Sequence, residues 1–213
     1  MAATKTLMEM VADLRAELLM SVNPASAQNL LPAHKVILAR IQDQLWLDHS
    51  WAQLRVDRDV TLAAGQRYYD FPADLDMDRV ENVWVKWSNR WHRLVRGIDP
   101  DAHYNAQNSD NDIRAEPALR WAPYLESQFE IWPIPVTDGA QTVRMRGIRT
   151  LNPLVDETDT ADLDPRLIVL TAAAELSADQ KSPRAQSLGN AAKAYYAKLR
   201  GRGDHNDNGR ISM

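Results

Sequence analysis

At residue 51 the hydrophobic period of this chain changes from about 3.6 residues to about 2, and near residue 165 it changes back. A chain patterned in this way has to interrupt its helices with strands. Leu54, Val56, Val60 and Leu62 alternate with Gln53, Arg55, Asp57, Asp59 and Thr61, which describes a strand with one wet face. Arg58 breaks the alternation, as a residue at a bulge or a sheet edge does. Ala63 to Gln66 is a short connection whose Gly65 can take positive φ, Arg67 to Phe71 returns as the partner strand, and Pro72 closes it. Val80–Trp87 is the next predicted strand, and Ser88-Asn89-Arg90 turns into Trp91–Val95. Asp99-Pro100 predicts a short helix start carrying His103 and Tyr104, followed by a polar loop from Asn105 to Asp112. Arg120–Tyr124, Gln128–Trp132 and Thr142–Ile148 complete the set, with Pro133 and Pro135 ending the middle one and Asp138-Gly139 as a turn.

The flanks read as helices. Thr6-Leu-Met-Glu9 is a capping-box pattern, and Leu7, Val11, Leu14 and Leu18 then form one stripe of a helix over residues 6–22 that Asn23-Pro24 ends. A second helix is predicted from Pro32 to Asp48, with Ile37, Ile41 and Leu45 inward and Lys35, Arg40 and Asp43 outward. Burying four apolar side chains per helix gains about 6–12 kcal/mol, too little for a free-standing hairpin once ordering entropy is counted. After the acidic connector Asp156–Asp164, Asp164-Pro165 caps a helix with Leu167, Leu170, Ala174 and Ala178 on one face, ending near Lys181. Ser182-Pro183 opens another, with Leu188, Ala192, Tyr195, Tyr196 and Leu199 for packing. The expected fold is therefore α+β. Terminal helices (1–50 and 154–200, the latter with the acidic connector) form a bundle around an inserted antiparallel β-domain (51–153), and a flexible extended tail follows (201–213).

Composition removes several functions. No Cys is present, which excludes disulfides, thiolate metal sites and Cys nucleophiles. No apolar run approaches the ~18 residues of a membrane span, and residues 1–7 lack the pattern of a signal peptide, so the chain is expected to fold in a cytoplasm. With 25 Lys and Arg against 29 Asp and Glu the net charge is −4, and no basic block offers the cationic footprint of a specific DNA-binding protein. Arg90, Arg93 and Arg96 come nearest, and their spacing suits an exposed strand or loop edge.

Candidate chemistry is sparse. None of the five histidines (His34, His49, His92, His103, His205) stands at metal-ligand spacing, and His103 beside Asp101 and Tyr104 reads better as a solvated loop residue than as an acid/base pair. Asp156, Glu157, Asp159, Asp162 and Asp164 lack the central Gly and closing Glu of a calcium loop and read as a solvated connector. No catalytic residue, metal or cofactor is expected. Arg202-Gly203-Asp204 is dismissed as a chance adhesion tripeptide. Seven Trp against two Phe is unusual; most serve a core, but Trp87 and Trp91 flank a strand turn and are the interface candidates.

The helix pair leading into Trp46-Leu-Asp-His-Ser-Trp51 belongs to a longer layout. With it go the phrase VTLAAGQRYYDFPADL from Val60 to Leu75, the segment Arg79–Val85, and the Ala-rich helices from Pro165 to Arg200. Together these resemble the head-to-tail adaptor (connector) proteins of tailed bacteriophages, of the tail-tubular or adaptor type in short-tailed phages. The resemblance covers most of residues 5–200 and rests on the order of elements more than on any one residue. It implies a virion structural protein, made in the host bacterial cytoplasm, that forms a dodecameric ring between the portal protein and a tail nozzle or tail tube protein. Double-stranded DNA passes through the ring non-specifically, and no membrane is involved. The resemblance also implies that the tail docks on the portal, with Arg202, Arg210, Ile211 and Met213 as its contact residues; a simple frayed terminus is the alternative. Another tail-completion component is the alternative within this class. A carbohydrate-binding β-domain, suggested by exposed Trp, is the alternative outside it.

Overall fold

The computed structural model describes residues 4–23, 28–98 and 113–207. The predicted short helix and polar loop with His103 and Tyr104 lie outside them. The architecture is α+β, with helices at both ends and strands between. Two units result: residues 1–53 with 151–213, and residues 54–150.

The helical unit contains α1 (Leu7–Glu17), α2 (Leu31–Asp48), α3 (Pro165–Asp179) and α4 (Ala185–Asp207). The predicted capping box forms: the Thr6 hydroxyl accepts from the Glu9 N–H (3.3 Å) and the Glu9 carboxylate accepts from the Thr6 N–H (2.8 Å). The remaining first-turn donors also find partners. Leu7 N–H reaches the Asp159 carbonyl at 2.8 Å, Met8 N–H the Glu157 carbonyl at 3.3 Å, and Met10 N–H the Thr6 carbonyl at 3.0 Å. The acidic connector is thus no solvated linker. Asp159 Oδ2 accepts from the Val155 and Asp156 N–H groups at 2.7 Å each. Asp162 Oδ2 accepts from Asn152 N–H (2.7 Å), and Asp164 Oδ1 caps α3 through Arg166 and Leu167 N–H (3.0 and 3.2 Å). The carboxylates serve backbone amides, a use that composition does not reveal.

Helix α1 stops at Glu17, not at Asn23-Pro24. Leu19 takes φ 57°, its N–H reaches the Ala16 carbonyl (3.1 Å), and Met20 N–H reaches the Arg15 carbonyl (2.8 Å). That is a Schellman ending with Leu where Gly is preferred. Helix α3 closes the same way, with Lys181 at φ 51° and Ser182 N–H on the Ser177 carbonyl (2.8 Å). The Arg184 guanidinium then donates to the Glu17 carbonyl (2.7 Å), answering the open end of α1. In α2 the buried stripe is His34, Leu38, Ile41 and Leu45, so Ile37 is only half-buried. Helix α3 contacts each of the other three helices and buries Leu167, Ile168, Val169, Leu170, Ala172 and Ala173, while the expected Ala178 is exposed. A helix covered on most sides shows no single stripe. Trp51 is buried here, its indole N–H on the Leu45 carbonyl (2.7 Å) and its ring edge-on to Tyr196. Helix α4 continues to Asp207, so residues 201–207 of the expected extended tail are helical; 208–213 lie outside the described residues.

The strand unit has eight strands: β1 (Arg55–Thr61), β2 (Tyr68–Asp70), β3 (Leu75–Trp87), β4 (Arg90–Arg93), β5 (Val95–Arg96), β6 (Arg120–Tyr124), β7 (Gln128–Trp132) and β8 (Thr142–Arg149). They form two sheets, β1-β8-β3-β4 and β2-β7-β6-β5. All pairs are antiparallel except β5–β6. Both inner faces feed one core, with Val83, Val85, Val143 and Met145 from the first sheet and Tyr69, Trp121, Phe129 and Ile131 from the second.

The expected pairing of 67–71 with β1 does not occur. Gly65 does take positive φ (73°), but its N–H bonds the Pro135 carbonyl (2.9 Å) and β2 pairs with β7 of the other sheet. Tyr69 holds this corner: its hydroxyl accepts from Ala63 N–H at 3.1 Å and lies 3.0 Å from the Ala63 and Gln66 carbonyls. The chain changes sheets again at Leu94, whose N–H bonds Val83, while the next N–H, of Val95, bonds Leu119. The expected strand 91–95 is therefore split between β4 and β5. Arg58 marks a sheet edge, since β1 is the outermost strand and its pairing with β8 has no register shift. The bulge lies in β3, between Leu75 and Asn82, opposite Gly147.

Candidate interaction surfaces

The outer face of the first sheet is built by register. On the central strand β8, Arg144 stands opposite Asp59 and Arg146 opposite Asp57. Each guanidinium grips its carboxylate with two parallel N–H···O bonds of 2.7 to 2.8 Å. Hydrogen bonding from Arg144 holds the Asp59 carboxyl below the usual carboxylate range, and the Asp59 carboxylate raises the Arg144 guanidinium in turn. These pairs are more than one-third exposed, so they stabilise the fold by about 0–1 kcal/mol each. Their larger effect is orientation. Pinned flat, Arg144 lies over the Trp91 ring at 4.7 Å and Arg146 over Trp84 at 5.4 Å.

Beyond them, the β3–β4 hairpin turns through Ser88 and Asn89, both at positive φ (47° and 62°), a two-residue turn that matches strand twist. Its cross-strand pairs on this face are Trp84 with Arg93 and Lys86 with Trp91, a checkerboard of aromatic and cationic side chains. Lys86, Arg90 and Arg93 are exposed and form no ion pair among the described residues. Trp91 is 43% exposed.

The two nominated Trp residues therefore part company, because Trp87 lies one position out of phase with Trp84. Its indole N–H donates to Glu116 Oε2 (3.1 Å), whose other oxygen accepts from Val136 and Thr137 N–H (3.2 and 2.7 Å). Those amide bonds, Thr137's foremost, hold the Glu116 carboxyl below its ordinary value. Trp87 thus anchors a loop, while Trp91 presents a face to solvent. The Arg144 guanidinium occupies one side of the Trp91 ring.

On the helical unit, α2 shows a second patch. Val36 and Leu47 are 65% and 71% exposed, with Asp43 and Asp48 exposed alongside. The cationic groups of this helix are already matched, Lys35 with Glu157 and Arg40 with Glu175. A cleft of about 410 Å³ also opens beside the start of α3, but all of its charged lining except Glu17 is committed: Lys5 to Asp13, Asp164 to the α3 cap, Arg166 against Tyr195.

Among the described residues no three His, Asp or Glu side chains converge as a metal site, and no helix is long and apolar enough to cross a membrane. His34 is buried between α1 and α2, and His49 is edge-on to Trp51. Of the nominated portal contacts, Arg202 falls on the backbone of α4, while Arg210, Ile211 and Met213 lie outside the described residues. Sequence reasoning missed the Arg144 and Arg146 rows. The signal was available as charge alternation, Asp57-x-Asp59 against Arg144-x-Arg146, but it needs the β1–β8 register to be read.

A family model described as SU10 adaptor protein matches residues 6–211, from the Thr6 cap to near the end of the chain and across both units. None of the curated proteins matches the chain.

Proposed function

We propose, because this chain belongs to the SU10 adaptor protein family, that it is a non-enzymatic structural protein of a bacteriophage virion that joins head to tail. Copies assemble side by side into a dodecameric ring, with the portal protein on one side and a tail nozzle or tail tube protein on the other, and the double-stranded genome passes through the middle. Synthesis is in the host bacterial cytoplasm. The observation that carries this reading is the family match over nearly the whole chain. What supports it physically is a pair of exposed patches, one on each unit, with aromatic or aliphatic anchors. A contact between two different patches of identical subunits is heterologous, and it closes into a ring when the rotation per subunit divides a full turn.

The net charge of −4 suits a lumen that DNA must leave quickly, since a cationic lining would gather phosphate contacts at every subunit. The lumen is neutral or acidic in this reading, and a continuous Lys/Arg lining in the assembled ring would sink that part of it. The C-terminal residues, with Arg202, Arg210, Ile211 and Met213, bind the portal. Removing residues 208–213, which follow α4 in sequence, abolishes attachment and leaves the isolated fold intact; normal attachment by the truncated protein refutes the assignment. The test of the whole is the mass of the protein mixed with purified portal. A stoichiometric ring complex is expected, and a mixture that stays as separate species overturns the adaptor reading.

A further inference from the structure

We propose that the ring contact is made by the outward stripe of α2 of one copy docking on the outer face of the β3–β4 hairpin of the next. This rests on the ring reading above. The first observation is complementarity of charge. With Lys35 and Arg40 matched inside the subunit, the unmatched charges exposed on α2 are Asp43, on the outward stripe, and Asp48, at its C-terminal end. On the hairpin face they are Lys86 and Arg93, since Arg144 and Arg146 are matched by Asp59 and Asp57; Arg90, opposite Trp87, falls in the other phase of the pleat. The same patches carry the apolar anchors: Val36 and Leu47 on the helix, Trp91 and the partly exposed Trp84 on the hairpin.

The second observation is spacing. Asp43 and Leu47 are one helical turn apart, about 6 Å along the axis. Trp91 and Arg93, like Trp84 and Lys86, are two strand positions apart, about 6.8 Å. The step from Asp43 to Leu47 along α2 is therefore nearly the step between indole and cation along the hairpin. The bidentate pairs beneath keep Arg144 and Arg146 flat, so both Trp rings are held in place before the partner arrives and little side-chain freedom is lost on docking. One patch belongs to the helical unit and the other to the strand unit, so the contact is head-to-tail and can propagate around a ring.

The native chain has no Cys, which makes cross-linking clean. Leu47→Cys and Trp91→Cys chains, mixed and assembled on purified portal, should give a disulfide-linked dimer under mild oxidation, and the double variant should give a ladder of multimers. Leu47→Cys mixed with Leu125→Cys, an equally exposed residue of the β6–β7 turn, is the control. Charge reversal is the second measurement. Asp43→Lys with Asp48→Lys, or Lys86→Glu with Arg93→Glu, should each weaken assembly at least roughly tenfold, and all four together should recover most of it. Cross-linking no better than the control, or reversals that assemble like the wild type while the ring still forms, would overturn this contact and leave the ring reading standing. Reversals that block portal attachment with no cross-link between copies would assign the hairpin face to the portal, also against the proposal. A wild-type chain that forms no ring on the portal defeats the ring reading and this contact together.

Discussion

Two Gly→Ala substitutions should change stability in opposite directions, and interatomic distances decide which way. At Gly147 on β8, a Cβ would sit 2.8 Å from the Arg79 carbonyl oxygen, 3.0 Å from Val80 Cα and 3.1 Å from Leu75 Cδ1. Two of the three obstacles are backbone of the β3 bulge, which cannot swing aside as a side-chain tip would. Relief requires β3 and β8 to separate by a few tenths of an ångström within a sheet that is paired on both sides of the bulge. Overpacking of this kind costs about 1–3 kcal/mol. Against it stands the restriction of the unfolded chain when Gly becomes Ala, which stabilises by about 0.4–1 kcal/mol. The steric term wins, so Gly147→Ala should lose about 1–2 kcal/mol. At Gly189 on α4 nothing lies within 4 Å of the added Cβ, and only the favourable terms remain, so Gly189→Ala should gain about 0.5–1 kcal/mol. Urea unfolding should be followed twice, by far-UV circular dichroism at helical wavelengths and by Trp fluorescence, because the two units need not unfold together. A Gly147→Ala protein as stable as the parent would show that the bulge yields freely and that the close approach does not hold the register.

Three further outcomes can be checked in the same way. Tyr69→Phe removes the hydroxyl that answers Ala63 N–H at the corner between sheets and should cost about 1–3 kcal/mol in urea midpoint measurements. Lys181→Gly should stabilise by about 0.5–1 kcal/mol, because the residue at φ 51° then carries no Cβ; an unchanged midpoint would count against strain there. Burial, with Arg15 adding to it, pushes the buried His34 below its ordinary imidazole value, so the unfolded chain binds the proton more readily. Its contribution is complete above about pH 6.5 and is lost as pH falls from there through the folded-state value. Urea titrations from about pH 7.5 to about 5.5 should therefore show a decline that His34→Gln flattens.

The readable features of the sequence were those decided within a few residues. The Thr6–Glu9 box, Pro32 in the first turn of α2, the Asp164-Pro165 start of α3 and the strands 120–124 and 128–132 follow from caps, fixed φ and alternation. What stayed hidden depends on partners far along the chain. Gly65 announces a turn, but only the Pro135 carbonyl and β7 decide that the turn leads into another sheet. Leu19 ends α1 in a conformation for which Gly is the usual marker, so that end was not legible, whereas the end of α3 near Lys181 was. Gly201 and Gly203 read as the start of a loose tail, yet α4 runs through both. Trp87 and Trp91 were paired by proximity in sequence. The pleat separates them, leaving one in the Glu116 loop and the other against Arg144.

The helical unit is assembled from the segments on either side of the strand unit, with α3 supplying more of its buried apolar residues than any other helix and residues 157 and 159 answering the first amides of α1. During synthesis the ribosome releases α1 and α2 long before any of that exists. The whole strand unit emerges next and can close on its own. The leading helices must then wait, partly bare, until α3 is translated.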